Sequence, residues 1–197
     1  MSRESEDPSD EEQYHIELRE GDIAGPVLLP GDPERTEIIA ELWDNAEELA
    51  SHREYRTLTG TYGGEPVAVT STGIGSPSAA IAVEELARIG ADTFVRVGSC
   101  GAIQPEIEIG DLVITTGAVR QEGTSDEYVG EEYPASAHGE VVTALVTAAE
   151  RLGHEYHLGV TCSTDSFYAG QSRPGFGGFR AAGAEARLEA LPEAGVL

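Results

Sequence analysis

The chain contains no lysine. All 12 of its basic residues are arginine, and they face 36 aspartates and glutamates, for a formal charge of −24. A surface so poor in positive charge excludes the phosphate backbone of nucleic acids and an anionic membrane as partners, since both would repel it. Dense carboxylates without lysine suit a salt-rich medium instead. At ~1 M salt the Debye length falls to about 3 Å, so their mutual repulsion is screened, and the composition reads as halophilic. Cysteine is nearly absent as well. Cys100 and Cys162 are the only two, too far apart in sequence for a Cys-x-x-Cys motif, which argues against a zinc knuckle or a disulfide framework and leaves both expected in the reduced state. His154 and His157 lack the further ligands that zinc requires and read as a helix end and a strand start. No apolar run approaches the ~20 residues that cross a bilayer, and Met1 to Glu12 is acidic rather than basic and then apolar. The expectation is a soluble, cytoplasmic protein.

What is present fits one domain, because 197 residues with 40% hydrophobic side chains are enough for a buried core and short for two domains of ordinary size. Residues 1–13 are polar and acidic and are expected to form a mobile tail, with the domain running from 14 to 197. Val27 to Pro30 reads as a short buried strand, followed by a turn at Gly31-Asp32-Pro33 and a helix through Ile38, Ile39 and Leu42. Tyr55 to Tyr62 and Pro66 to Ser71 alternate around Gly63-Gly64 as a hairpin. Ile81, Val83, Leu86 and Ile89 have helical spacing, closed by Gly90. Thr93 to Val97 and Leu112 to Thr115 read as central strands, His138 to Leu152 as a helix stopped by Gly153, and Tyr156 to Thr161 as a strand. A weaker helix is expected around Ala184 to Leu191. Strands alternating with helices predict an α/β sheet covered on both faces.

In such sheets, sites form beyond the carboxyl ends of the strands. After the first strand, Gly31 lets the backbone approach an anion, Asp32 can cap the helix, and Arg35 stands in its first turn, which describes a phosphate-sized pocket or, equally, a capped helix with a solvent-facing arginine. The loop Thr72 to Ser78 has two glycines but lacks the third of a dinucleotide fingerprint, and Pro77 follows at once. Arg96 lies in an otherwise apolar strand before Gly98-Ser99-Cys100-Gly101. A guanidinium buried there needs an anionic partner, either a carboxylate or a bound phosphate.

These residues carry a resemblance. Gly31 to Arg35, Ser51 to Tyr55, Ser71 to Gly75, Ala82 to Leu86, Arg96 to Gly98 and Gly101 to Pro105 resemble the nucleoside phosphorylase family in one register from about His15 to Arg173, and its uridine-cleaving branch most closely. The resemblance implies a single-domain, three-layer α/β/α fold with a central mixed β-sheet. It implies phosphorolysis, in which inorganic phosphate attacks the anomeric carbon of a nucleoside to give ribose 1-phosphate and a free base, with phosphate as co-substrate and no cofactor required. Gly31, Arg35, Arg96 and Ser99 match phosphate-binding positions, with Arg35 and Arg96 as the catalytic pair, and Arg53 matches an arginine donated across a dimer interface. His15 matches a residue that reaches a neighbouring subunit's ribose 5′-hydroxyl, a surface histidine being the plain alternative. Gly101, Phe167, Gln171 and Arg173 match the base site. An aromatic face, an amide and a guanidinium form a pyrimidine-shaped set of groups. Glu54, Ile74 and Ser78 match a monovalent cation site between subunits, for which potassium is suited. A homo-oligomer built from dimers, up to a hexamer, is expected.

The resemblance has departures. Ser99 and Cys100 stand where threonines are common, which keeps one hydroxyl. The family continues with a strand, an acidic segment that binds ribose hydroxyls, and a long final helix, so the chain is expected to be incomplete at its C-terminus. The alternatives are a purine nucleoside phosphorylase or nucleosidase, and an inactive phosphate- or nucleoside-binding fragment. A nucleosidase would use water and need no phosphate arginines. The charge itself yields a prediction: the melting midpoint should rise steadily between about 0.1 M and 2 M potassium chloride as carboxylate repulsion is screened. A flat or falling midpoint in thermal melts would refute the halophilic reading.

Overall fold

A short central strand, β1 (Val27–Leu29), organises the first half of the computed structural model, which describes residues 11–197. Around it stand α1 (Glu34–Ala40), β2 (Asn45–His52), β3 (Tyr55–Tyr62), β4 (Glu65–Thr70), α2 (Ser76–Arg88) and β5 (Phe94–Arg96). The sheet order is β2-β3-β4-β1-β5. β1 runs parallel to β4 and β5, while β3 is antiparallel to β2 and β4, so the sheet is mixed. Gly63 and Gly64 close the β3–β4 hairpin with φ of 61° and 82°, the left-handed conformation that a two-residue turn demands and that glycine adopts without steric cost.

The two-residue period of the strands builds a core on each face. Val27, Leu29 and Ala68 join Ile16, Leu18, Tyr55, Ala82, Leu86 and Ile89 on one side. Leu28 and Val69 join Ala40, Leu58, Ile39 and Trp43 on the other. With α2 against one face and α1 against the other, four consecutive β4 residues, Val67 to Thr70, are buried, as a doubly covered strand requires. The expected helices and hairpin are present. β2 was not expected, since its Asn-Ala-Glu-Glu-Leu-Ala run has poor strand propensity; it forms as the edge strand because β3 offers a ladder to pair with. Gln13 is already buried, with its N–H bonded to the Leu18 carbonyl at 2.9 Å. Residues 1–10 of the expected acidic tail lie outside the described residues.

Residues from Cys100 onward form a second unit. It contains β6 (Leu112–Gln121), β7 (Ala135–Ser136), α3 (Gly139–Leu152), β8 (Tyr156–Thr164) and α4 (Ala184–Glu193). β6 pairs in parallel with β8 and antiparallel with β7, and α3 makes the crossover that two parallel strands need. β6 continues six residues beyond the expected Thr115, to Gln121. The expected C-terminal helix is α4, whose end is held by Gln104 Nε2 donating to the carbonyls of Pro192 (3.0 Å) and Val196 (2.8 Å). The mixed α/β class is borne out, with the strands divided between a five-stranded and a three-stranded sheet rather than joined in one. Among the described residues, no helix is long and apolar enough to cross a membrane.

The first core gives a direct prediction. Leu86 is 0% exposed and Leu42 is 75% exposed. Leu86→Ala should cost ~2–5 kcal/mol in denaturant melts and Leu42→Ala less than about 0.5 kcal/mol.

Candidate functional site

In the first unit, β1, β4 and β5 run parallel, so the loops that follow them leave the same edge of the sheet. Two of these loops are stitched together: the N–H groups of Thr72 and Gly73 donate to the carbonyls of Pro30 (2.9 Å) and Gly31 (2.8 Å). Arg96, the last residue of β5, folds its guanidinium back across that edge, where Nη1 donates to Leu29 O at 2.8 Å and Val97 O at 2.7 Å. A side chain at Gly31 would begin 3.3 Å from Arg96 Nη2 and 3.1 Å from the Gly73 carbonyl. Only glycine leaves that space open.

The sequence predicts Arg96 buried in the sheet. The structure corrects this: β5 is an edge strand that ends at Arg96, so the side chain reaches solvent. Partial burial, and then the nearby charge of Arg35, lower its pKa from the usual arginine value. Arg35 is exposed in the first turn of α1, where the Asp32 carboxylate accepts the Glu34 N–H at 3.0 Å. Among the described residues, neither Arg35 nor Arg96 forms an ion pair, whereas Arg56 binds both Glu37 and Glu48 and Arg120 binds Asp126. Two neighbouring guanidiniums without a carboxylate are an arrangement that accepts an oxyanion. Ser99, three residues past β5, is exposed.

The β2–β3 turn carries Arg53 in the left-handed region, at φ 56°, with its guanidinium 5.6 Å from the centre of the Tyr14 ring. The neighbouring Glu54 packs its side chain on Gly73. Ser78 Oγ lies within hydrogen-bond distance of the carbonyls of Ile74 (3.2 Å) and Gly75 (3.1 Å), so Glu54, Ile74 and Ser78 cluster around Gly73. The Ile74 side chain is fully exposed. Beneath them the Tyr55 hydroxyl donates to Ser78 O at 3.1 Å, and burial, then the charges of Glu54 and Glu85, push its pKa up to about 12.

His15 is not a free surface histidine. Its Nδ1 lies 2.6 Å from Oε1 of Glu85, a carboxylate buried on α2. Sequence reading passed over Glu85, although its position announced it: in the series Ala82, Glu85, Leu86, Ile89 it is the one charge on an apolar helical stripe.

In the second unit, the loop after β8 brings Phe167, Gln171 and Arg173 together. Arg173 Nε donates to Gln171 Oε1 at 3.0 Å, and its guanidinium lies 4.4 Å from the centre of the Phe167 ring. The Phe167 ring, 58% exposed, thus carries this guanidinium against its face. Ser172, between the two polar residues, is buried with φ 53°, and its carbonyl accepts from Arg180 Nη1 at 2.6 Å. Sequence reading gave Arg180 no role, and its Gly- and Ala-rich surroundings offered no signal. Gly101 is exposed, with open space where a side chain would start.

Residues 27–197 match the family model described as the phosphorylase superfamily. The uridine phosphorylase of Thermococcus kodakarensis is 65% identical over 89% of this chain and 64% of its own length. That of Escherichia coli is 51% identical over 81% of this chain and 64% of its own length. The guanosine phosphorylase of Halorubrum lacusprofundi is 48% identical over 79% of this chain and 65% of its own length. The chain thus spans about 64% of the length of such relatives.

The solvent-reaching, unpaired state of Arg96 predicts that Arg96→Ala shifts stability by about 1 kcal/mol or less in denaturant melts. A loss of ~3–5 kcal/mol would instead reveal a buried structural ion pair.

Proposed function

Because the chain belongs to the phosphorylase superfamily, we propose that it carries out reversible phosphorolysis of a pyrimidine nucleoside, converting uridine and inorganic phosphate to uracil and ribose 1-phosphate. The observation that carries this reading is Arg96 at the open backbone of Gly31, near enough to Arg35 for that residue's charge to act on it, with no acidic partner for either among the described residues. Phosphate held there, with Ser99 adding a hydroxyl and Arg53 arriving from a neighbouring copy, attacks C1′ through one oxygen. The C1′–N1 bond breaks with its electrons leaving on the base, and N1 takes up the proton that hydrogen phosphate gives up as it becomes the sugar phosphate, so the products are neutral uracil and the ribose 1-phosphate dianion. The ribose passes through an oxocarbenium-like state, and the bound dianion is both nucleophile and counter-charge. By the resemblance, base recognition falls to Gly101, Phe167, Gln171 and Arg173: an aromatic face suits the ring, and amide and guanidinium donors suit the negative charge that develops on the base carbonyls. The names of the Thermococcus kodakarensis and Escherichia coli relatives support uridine as the substrate.

The finer assignments rest on the same reading. His15 serves the ribose of an adjacent copy, which makes the working form a dimer-based homo-oligomer. Glu54, the Ile74 carbonyl and Ser78 form a potassium site, and the protein works in the cytoplasm. A second reading, a purine substrate, is favoured by the guanosine phosphorylase relative.

The test is release of uracil from uridine with and without phosphate. Cleavage should depend on phosphate, and Arg96→Ala should weaken phosphate binding ~10-fold or more through the loss of charge-assisted hydrogen bonds. Gln171→Ala should lower kcat/KM for uridine ~10- to 100-fold while sparing guanosine. Equal losses on both nucleosides would favour the purine reading, and cleavage indifferent to phosphate would refute phosphorolysis.

A further inference from the structure

Glu85 is an ionisable side chain that the proposed chemistry leaves unused. It is 6% exposed and sits on the core face of α2, where a charge survives only when its lone pairs are filled. Three donors fill them, all from the segment before β1. The backbone N–H groups of His15 (2.9 Å) and Ile16 (3.0 Å) both donate to Oε2, while Oε1 faces His15 Nδ1 at 2.6 Å. Ile16 and Leu18, each 1% exposed, anchor the same segment in the core. Tyr14 and Tyr55 stand edge-on to the imidazole, with centroids at 4.9 and 6.1 Å.

We infer that Glu85 is a positioning residue that fixes the tautomer of His15, and that it thereby presents Nε2 as a hydrogen-bond acceptor which demands a hydroxyl donor at the 5′ position of the substrate. The argument is one of donors and acceptors. A carboxylate can only accept, so the proton of a neutral imidazole facing it must sit on Nδ1, and Nε2 is left with a bare lone pair. Because two backbone N–H groups hold the carboxylate in place, the ring cannot turn the pair around without breaking its bond to Glu85. Nε2 has no partner among the described residues. A nucleoside with a free 5′-hydroxyl satisfies it, and a 5′-deoxy analogue does not. The choice of donor rests on the nucleoside reading proposed above, whereas the tautomer rests on the geometry of Glu85 alone.

Glu85→Gln tests this with little threat to folding. The two backbone donors require the amide oxygen at the Oε2 position, which turns the amide NH₂ toward Nδ1. Nδ1 must then accept, and the imidazole proton moves to Nε2. Long-range ¹H–¹⁵N correlation spectra of the uncharged ring should show His15 protonated at Nδ1 in the native protein and at Nε2 in Glu85→Gln. The native protein should prefer uridine over 5′-deoxyuridine by ~10-fold in kcat/KM, a preference lost in both Glu85→Gln and His15→Ala. A native ring protonated at Nε2, or a tautomer unchanged by Glu85→Gln, would overturn the proposal, and the native spectrum decides this even if the variant fails to fold. A reversed tautomer with an unchanged uridine to 5′-deoxyuridine ratio in both variants would overturn the 5′-hydroxyl role. Absence of phosphate-dependent cleavage in the native protein would reject the nucleoside reading separately, since the tautomer measurement does not rely on it.

Discussion

Like charges held side by side repel, and a folded chain keeps them together only where something else fixes their positions. Arg35 and Arg96 are in that situation: the helix start sets one, and two backbone carbonyls set the other through Nη1. Partial burial, and then the charge of Arg35, lower the Arg96 pKa from the usual arginine value, as expected for a guanidinium beside a like charge. In a chain with 36 acidic residues and 12 basic ones, finding a carboxylate partner is easy. Arg19, Arg56, Arg88 and Arg120 have all found one. Among the described residues Arg35 and Arg96 have none, and what sets them apart is their placement: the charge of one acts on the other, and Arg96 lies at the backbone opening of Gly31, from which the proposed phosphate chemistry follows.

The fold supplies that separation by topology. Three parallel strands deliver Leu29, Thr70 and Arg96 to one edge of the five-stranded sheet, and the hydrogen bonds from Thr72 and Gly73 to Pro30 and Gly31 make a single rim from two loops. Gly98 repeats what Gly31 does on the other side of the guanidinium, since a side chain there would start 2.8 Å from Arg96 Nη1. Salt acts differently on these features. Ions screen the exposed carboxylates across a Debye length, but the partly buried guanidinium of Arg96 is screened less, so a salt-rich medium quiets the surface more than it weakens the field at Arg96.

Much of this was legible in the sequence because local and global signals agreed. β1, β3, β4, α2 and α3 announce themselves through apolar periodicity and the turn residues that bound them, and α4 only weakly. β2 did not, because an edge strand borrows its conformation from the strand it pairs with rather than from its own side chains. The sequence placed Arg96 correctly and judged its burial wrongly, since a short apolar run looks the same in the middle of a sheet and at its edge. Glu85 was hidden by the opposite error: it stands in an apolar stripe, and the stripe was read as core. The division of the strands between two sheets has no local signature, because it depends on which strands find each other.

In the second unit, the Arg173 guanidinium stacks on Phe167 and its Nε bonds to Gln171, so the three groups proposed for the base satisfy one another. Magnitudes decide whether that hinders binding. An exposed cation–π contact is worth ~0.5–1 kcal/mol, whereas stacking a base on an aromatic ring is worth ~1–3 kcal/mol. Under the proposed reading a base would therefore win the ring face, and the guanidinium it displaces would stay tethered one residue beyond the buried Ser172, whose carbonyl Arg180 holds. A flat base with carbonyl edges would replace the hydrogen bonds that it displaces. A ligand without those edges would gain the stack but leave the donors unpaired, which is how the proposed base loop would discriminate among flat ligands.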